Sequence, residues 1–512
     1  MSDINIYFQI PGYQKAEKFI AKLEKKVALQ IAFKEYSVKK FFDSFDWRLY
    51  KAGLLCELNC SQTLSQLRLI EMQSGQQIAS AKTDEVPTFA DDIGDSGIKS
   101  KLKPVLEMRA LIPLTLLPYR AYHINILNND QKTTVRIRIK EYEDLPHRLC
   151  IQTIRGYQNA ALRISKLLEK SLGLTPINKS VLHAALKLQG RKPLDYSSKL
   201  NIELAPNMRA DMACKKIYKH LLRAIKVNES GAIAAIDSEF LHDLRVAVRR
   251  TRSGLSQIKN VFPSQITQDF AVFFAWLGQV TSKARDMDVY VLNFTSYKQS
   301  LPDSMQDHIA PLYAFLKRKQ VTAQKELSAK LKSPEYLSKL RAWESFLKEP
   351  VIEKPVEPNA TRNIRQLACK RIWKNYRRVL KEGTAITGRS APEALHELRK
   401  TCKKLRYLME FFQSLYPKNE ISQLIKVLKN FQDILGDFQD YEIQEQNLRK
   451  FGEEMMREST PTETFLAMGV VVQNLCQKRL GARREFSSRF EKFKQPANQA
   501  IFKTLFSGEL RA

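Results

Sequence analysis

An α+β N-terminal domain followed by an all-α region is the fold class that this 512-residue chain predicts. Three observations predict it. Up to about residue 150, apolar and polar residues alternate with a period of two, most clearly in Thr133 to Ile139, TTVRIRI. From about residue 151 the apolar residues recur at i, i+3, i+4 and i+7, the spacing of a helix with one buried face. A 23-residue block, 241–263, recurs at 395–417 inside that helical region.

The elements follow in chain order. In TTVRIRI, Val135, Ile137 and Ile139 fall on one strand face, with Arg136, Arg138 and Lys140 on the other. Leu54 to Leu58 is a second short strand, and 84–97, DEVPTFADDIGDSG, reads as an acidic loop. Helix begins with IRGYQNAALRISKLLEKSLG and completes a first domain over 1–172. A mixed connecting segment, 173–206, leads to a first helical half over 207–348. The segment 349–360, EPVIEKPVEPNA, holds three prolines and reads as a linker, because proline interrupts helical hydrogen bonding. A second helical half over 361–495 and a tail over 496–512 complete the division.

Composition limits the function classes. With 44% hydrophobic and 27% charged residues, the chain can bury a core and is not a disordered polyelectrolyte. Its 84 Lys+Arg against 54 Asp+Glu leave a net charge of +30, which points to a polyanionic partner without naming it. Residues 1–200 hold 31 Lys+Arg and 20 Asp+Glu, so +11 lies there and +19 lies in 201–512. Seven scattered cysteines without a Cys-x-x-Cys pair argue against a disulfide framework and against a zinc site. The N-terminus shows no signal peptide, and no stretch approaches 18 apolar residues, so a reducing cytoplasm is expected, with no cofactor.

The repeat carries much of the charge. LHDLRVAVRRTRSGLSQIKNVFP (241–263) and LHELRKTCKKLRYLMEFFQSLYP (395–417) share Leu-His-acid-Leu-Arg, a basic pair, a further Arg and an aromatic-Pro end, 154 residues apart. At the same offset Asp286 matches Asp440, each preceded by a Leu-Gly pair whose distance to the Asp differs by four residues, about one helical turn. On a helical wheel His242, Arg245, Arg249 and Arg252 share a stripe roughly 80° wide. His396, Arg399, Lys403, Arg406 and Tyr407 do the same, with Arg250 and Lys404 flanking the stripes. The adjacent acids, Asp243 and Glu397, point elsewhere, so the cations are expected to lack i,i+4 carboxylates on their own helices. A solvated basic face is the plain alternative. A matched pair of such stripes favours a ligand.

At these residues the sequence resembles the CHAD family, the conserved-histidine α-helical domain. LHDLRVAVRRTR, LGQVTSKARDMDVY, LHELRKTCKKLRY and LGDFQDY carry the resemblance, over about 205–495. It implies two pseudo-symmetric four-helix bundles and a basic groove that binds inorganic polyphosphate, with association with polyphosphate granules. Carried over by position, His242, Arg245, Arg249, Arg250 and Arg252 would line one side, and His396, Arg399, Lys403, Lys404 and Arg406 the other, with Lys283 and Arg285 nearby. Further basics on predicted helices are Lys215, Lys216, Lys219 and Arg223; Arg371, Lys374, Arg377 and Arg378; and Lys478, Arg479 and Arg483. The ligand chemistry suits such a lining, since polyphosphate offers charge without bases, and point charges and guanidinium forks recognise it without aromatic stacking.

The first 170 residues resemble a diverged CYTH domain, the triphosphate-tunnel fold, through 41–58, 103–114, 131–139 and 154–169. Active members open with a Glu-x-Glu-x-Lys strand that holds divalent metal. Here that strand, 4–10, reads INIYFQI, and Cys56-Glu57-Leu58 replaces the usual paired basics. Arg109, Arg136, Arg138 and Lys140 remain as tunnel basics, and Glu107 and Glu141 as carboxylates a metal could use. The leading expectation is a polyphosphate-binding protein that does not catalyse. The alternatives are a metal-dependent triphosphatase working through the N-terminal domain and a nucleic-acid binder.

Overall fold

The structure, a computed structural model, describes residues 5–11, 15–62, 64–177 and 180–507. The chain divides into two compact units, Met1–Ser198 and Lys199–Ala512.

The first unit runs β1 (Asn5–Gln9), α1 (Ala16–Glu24), β2 (Leu29–Asp43), α2 (Arg48–Lys51), β3 (Leu54–Ser61), β4 (Ser65–Glu71), β5 (Gln77–Lys82), α3 (Ser96–Leu106), β6 (Ile112–Leu127), β7 (Thr133–Tyr142), β8 (Arg148–Thr153), α4 (Gln158–Leu172), β9 (Thr175–Pro176) and α5 (Leu182–Leu188). Its strands form one nine-stranded sheet, ordered β5-β4-β3-β2-β6-β7-β8-β1-β9, with antiparallel neighbours throughout. The predicted alternation decides the faces: Val135, Ile137 and Ile139 are buried against Phe19, Ile20 and Leu23 of α1 and Ile164 and Leu168 of α4. Under β3 to β5, Leu58, Leu67 and Leu69 meet Ile98, Leu102 and Leu106 of α3.

The opposite face is polar, and the sheet curls around it. Five strand positions separate β1 from β3, about 24 Å in a flat sheet at about 4.8 Å per strand. Yet Tyr7 of β1 feels the charges of Glu57 on β3 and Arg68 on β4. The segment after β9, expected as part of the connection between domains, belongs to this unit. Val181, Leu182, Ala185 and Leu186 join a core with Phe41, Trp47, Leu117 and Tyr142. Four apolar side chains at helical spacing bury more surface here than a solvated linker would.

The second unit contains α6 (Ala210–Ala234), α7 (Ser238–Gln257), α8 (Ser264–Gln299), α9 (Ala310–Leu331), α10 (Pro334–Lys348), α11 (Ile364–Thr384), α12 (Pro392–Phe412), α13 (Lys418–Met455), α14 (Thr462–Phe493) and α15 (Pro496–Phe506). The expected tail is thus largely α15, whose Phe502 stacks on Tyr376 of α11 with ring centroids 3.8 Å apart; 508–512 lie outside the described residues. The two halves are related as the repeat predicts. At their junction Ala210 N donates to Arg362 O and Ile364 N donates to Met208 O, both at 2.9 Å. Residues 210 and 364, and 208 and 362, each stand 154 apart, so this bond pair is reciprocal across a pseudo-two-fold axis. The proline-containing linker is held by Lys215, which donates to the carbonyls of Phe346 and Glu349, both at 2.8 Å.

Two sharp helix starts position the basic stripes. Asp237 caps α7 by accepting from the amides of Glu239 (2.9 Å) and Phe240 (3.2 Å), and Pro392 opens α12, where its missing N–H costs nothing. Leu244 and Leu255 of α7, and Leu398, Met409 and Phe412 of α12, are buried in the cores. That burial turns the cationic side of each helix away from its own bundle core. Among the described residues no helix is long and apolar enough to cross a membrane.

Candidate functional site

Helices α7 and α12 pack against each other, so the two stripes meet. His242, Arg245, Arg249 and Arg250 are half-buried and Arg252 is exposed; His396, Arg399, Lys403, Lys404 and Arg406 are all half-buried. Burial and the crowding of like charge both disfavour the charged forms here. Burial, then Arg399 and Arg249, lowers the Lys403 ammonium from its ordinary value near 10.5 to about 7. Burial, then Arg249, lowers Arg245 from 12.5 to about 10. Arg249 thus acts on its own helix and across to α12.

Helices α8 and α13 supply the partners. Arg245 donates to Gly278 O (3.2 Å), Thr281 Oγ1 (3.0 Å) and Ser282 Oγ (3.4 Å). Arg399 donates to Gln439 Oε1 (2.6 Å) and pairs with Asp440 at 3.1 Å. The amide nitrogen of Gln439 lies 2.6 Å from His396 Nε2, so one side chain fixes both an arginine and a histidine of the stripe. The Leu-Gly pairs now have a reason. A Cβ on Gly278 would stand 3.0 Å from Arg252 Nη1, and one on Gly436 would stand 3.4 Å from Arg399 Nη2. Glycine lets each guanidinium lie against the neighbouring helix.

One expectation is corrected. The stripe does have an i,i+4 carboxylate on its own helix: Glu410 lies 3.5 Å from Arg406 and also pairs with Arg250 of α7 at 2.8 Å. The acids beside the histidines do not reveal it; the signal is Glu410, four residues after Arg406 on the same helix. Gln439, Thr281 and Ser282 were also missed, because neutral side chains carry no charge pattern.

The outlying basics divide. Lys283 turns to Glu326 of α9 at 2.9 Å, and Arg285 donates to Ser238 O (3.0 Å) and pairs with Glu239 (3.6 Å) at the start of α7. Lys215 is buried beneath the linker, and Lys216 bonds to Glu203 O. Lys219, Arg223, Lys374 and Arg377 are exposed; Arg371 reaches Lys259 O at 3.5 Å, and Arg378 pairs with Glu382 at 2.5 Å. Arg479 pairs with Glu445 (3.4 Å), Arg483 bonds to Gly388 O (3.1 Å), and Lys478 borders a cavity of about 200 Å³ with Tyr297, Tyr441, Gln444 and Asn474.

In the first unit, Arg138 and Lys140 lie half-buried on the polar inner face, Arg136 is exposed on the same face, and the face also carries Lys39, Arg68 and Arg148. Lys140 is held well below the ordinary lysine range by burial and then by Lys39. Arg109 does not join them: it is 2% exposed and paired with Asp46 at 3.3 Å. Glu57, read from the sequence only as a replacement for a basic pair, occupies the middle of the cationic face. It pairs with Lys39 (2.6 Å) and Arg68 (3.0 Å). The carboxylates considered for a metal are placed elsewhere. Glu107 pairs with Arg48 (2.7 Å), and Glu141 accepts from Ala16 N (2.9 Å) and Tyr122 OH (3.2 Å) on the outward face. With Glu57 neutralised by two cations and, among the described residues, no group of three His, Cys, Asp or Glu side chains placed to hold a metal ion, this donor set does not fit a divalent metal.

Comparison with known proteins covers both units. Among curated proteins none matches the chain in sequence. The CHAD domain from the plant Ricinus communis is similar in structure, at 20% identity and a TM-score of 0.44, covering 60% of this chain and 96% of that one. PptA from Streptomyces chartreusis, at 15% identity and a TM-score of 0.44, covers 56% and 100%. A putative adenylyl cyclase from Hippeastrum, HpAC1, described as having a dominant triphosphatase activity, has 14% identity and a TM-score of 0.29, covering 38% and 100%. The CHAD domain family model matches residues 216–449, from within α6 to within α13, past the Asp440 motif. The chain carries a CHAD domain.

Proposed function

We propose that the helical unit binds inorganic polyphosphate in the groove between α7 and α12 and does not cleave it, and that this binding associates the protein with polyphosphate granules. The observation that carries the reading is the apposition of two half-buried cation stripes, in which Arg249 of one lowers the Lys403 ammonium of the other. Cations held this close repel one another, and a ligand bearing about one negative charge per phosphate unit relieves the repulsion along its whole length. The guanidiniums of Arg245 and Arg399 are already oriented by α8 and α13, so little side-chain freedom is lost when the ligand binds. Neither stripe interleaves its basics with exposed aromatics: Tyr407 is buried, which favours a phosphate chain over single-stranded nucleic acid.

The test is a fourfold Ala variant at Arg245, Arg249, Arg399 and Lys403. Each charge-assisted contact contributes roughly 1.5–3 kcal/mol when desolvated and less at this half-buried depth. The variant is therefore expected to lose at least 100-fold in polyphosphate affinity with its helical circular dichroism unchanged. Unchanged affinity in the folded variant refutes the groove assignment. Displacement of polyphosphate by RNA or DNA at equal phosphate concentration replaces the ligand class.

A further inference from the structure

The four-residue difference between the two Leu-Gly-to-Asp spacings has a structural consequence. Counted from the glycine, the fourth residue is Ser282 in α8 and Asp440 in α13; the acid of α8, Asp286, comes one turn later. Arg245 and Arg399 occupy equivalent positions 154 residues apart, yet Arg245 donates its hydrogen bonds to neutral oxygens, whereas Arg399 pairs with a carboxylate at 3.1 Å. Asp286 accepts from Ser282 Oγ at 3.2 Å and makes no ion pair with Arg245. Glu410, which stands 154 residues after Ser256, pairs with one cation of each stripe, Arg250 and Arg406, so the difference between the halves lies at Arg245 and Arg399. The charged groups acting on Arg245 are Arg249, Asp286 and Arg285.

We propose that the groove has an open half on the first repeat and a guarded half on the second, and that Asp440 is the guard that a polyanion must displace from Arg399. The inference rests on the polyphosphate reading above. A short phosphate binds the open half at Arg245, whose guanidinium contacts no carboxylate that must be displaced, Asp286 acting on it only from a distance. A long chain anchors there first. Its following phosphates, held at high local concentration, then exchange with Asp440, which is 57% exposed and free to swing into solvent. Ser282 and Asp440 thereby determine specificity for chain length.

Exchanging the two residues tests this in the full-length protein, with pyrophosphate and a chain of roughly one hundred phosphates as probes, by titration calorimetry at low salt. Wild type is expected to bind one pyrophosphate. Asp440→Ser should bind two, and it should hold the long chain about fivefold more tightly, the worth of one exposed ion pair. Ser282→Asp should weaken pyrophosphate binding about fivefold. Asp440→Asn, which keeps the shape of the side chain, serves where the Ser variant unfolds. Two equivalent pyrophosphates on wild type, or one on both Asp440 variants, overturns the guarded half while leaving the groove standing. Failure of wild type to bind phosphate chains of any length instead overturns the underlying reading, and the inference with it.

Discussion

Proton linkage at Lys403 gives the most quantitative expectation. Its ammonium titrates at about 7 because burial and then the charges of Arg399 and Arg249 disfavour it, with Arg406 adding and Asp440 opposing. A polyanion laid over these groups reverses the balance and raises the pKa, so binding takes up a proton wherever the free groove lacks it. At pH 7 about half of the free molecules carry the charge, and at pH 9 about 1% do. If the bound form stays protonated throughout, affinity falls about 50-fold over those two units, close to 2.3 kcal/mol. The assay is a fluorescence titration with long-chain polyphosphate at constant ionic strength, paired with calorimetry in buffers of different ionisation enthalpy to count the protons. Lys403→Arg keeps its charge over this range and should flatten the profile. An equal slope in Lys403→Arg, or a flat profile in wild type, refutes the argument. The same group acts on stability with a defined sign. The unfolded chain binds the proton up to about 10.5 and the folded one only to about 7, so the penalty is full below pH 7 and disappears as pH rises to 10.5. Lys403→Met should therefore stabilise the fold at pH 6, by about 1–2 kcal/mol after solvent screening, and leave it unchanged near pH 11.

Two further expectations concern single groups. Glu57→Gln leaves the buried Lys39 ammonium without its partner, and should destabilise the first unit by about 3–5 kcal/mol, seen as an earlier first transition in calorimetry with the second transition in place; coincident, unshifted transitions would mean that water already screens the pair. Gly278→Ala puts a methyl 3.0 Å from Arg252 Nη1; the guanidinium lies at the end of a flexible side chain and should move, so stability holds within about 1 kcal/mol and only polyphosphate affinity falls, whereas a collapse of the fold would refute this role for the glycine.

The parts that were legible in the sequence are those in which one element determines its own geometry. Val135, Ile137 and Ile139 bury one strand face because alternation leaves no other choice, and the 154-residue offset reappears as reciprocal hydrogen bonds at the junction of the halves. The stripe on α7 was legible for the same reason, since i, i+3 and i+4 spacing fixes which residues share a face. The parts that were not legible depend on a second element. Arg109 has the same side chain as Arg138, yet it is buried against Asp46, because the turn between α3 and β6 determines its neighbours and no periodicity reports that. Glu57 looked like a lost basic pair until the curl of the sheet brought Lys39 and Arg68 to it.

Charge counting alone would also have treated the two units alike, since both carry a positive surplus. What differs is how far each surplus is already answered. On the inner face of the sheet, Glu57 lies between two cations in a buried network, and an incoming anion must compete with a carboxylate that cannot leave without stranding Lys39. In the groove, Arg245 rests on a carbonyl and two hydroxyls, which orient its charge without cancelling it. An anion there shares the cation with the more distant charge of Asp286 but displaces no carboxylate in contact with it. The free energy available to a polyanion is therefore set by the number of cations whose partners are neutral. By that measure the first-repeat end of the groove is where binding should begin, and Ala substitution of Arg245 should cost more affinity than the same change at Arg399, whose charge Asp440 already answers in the free protein.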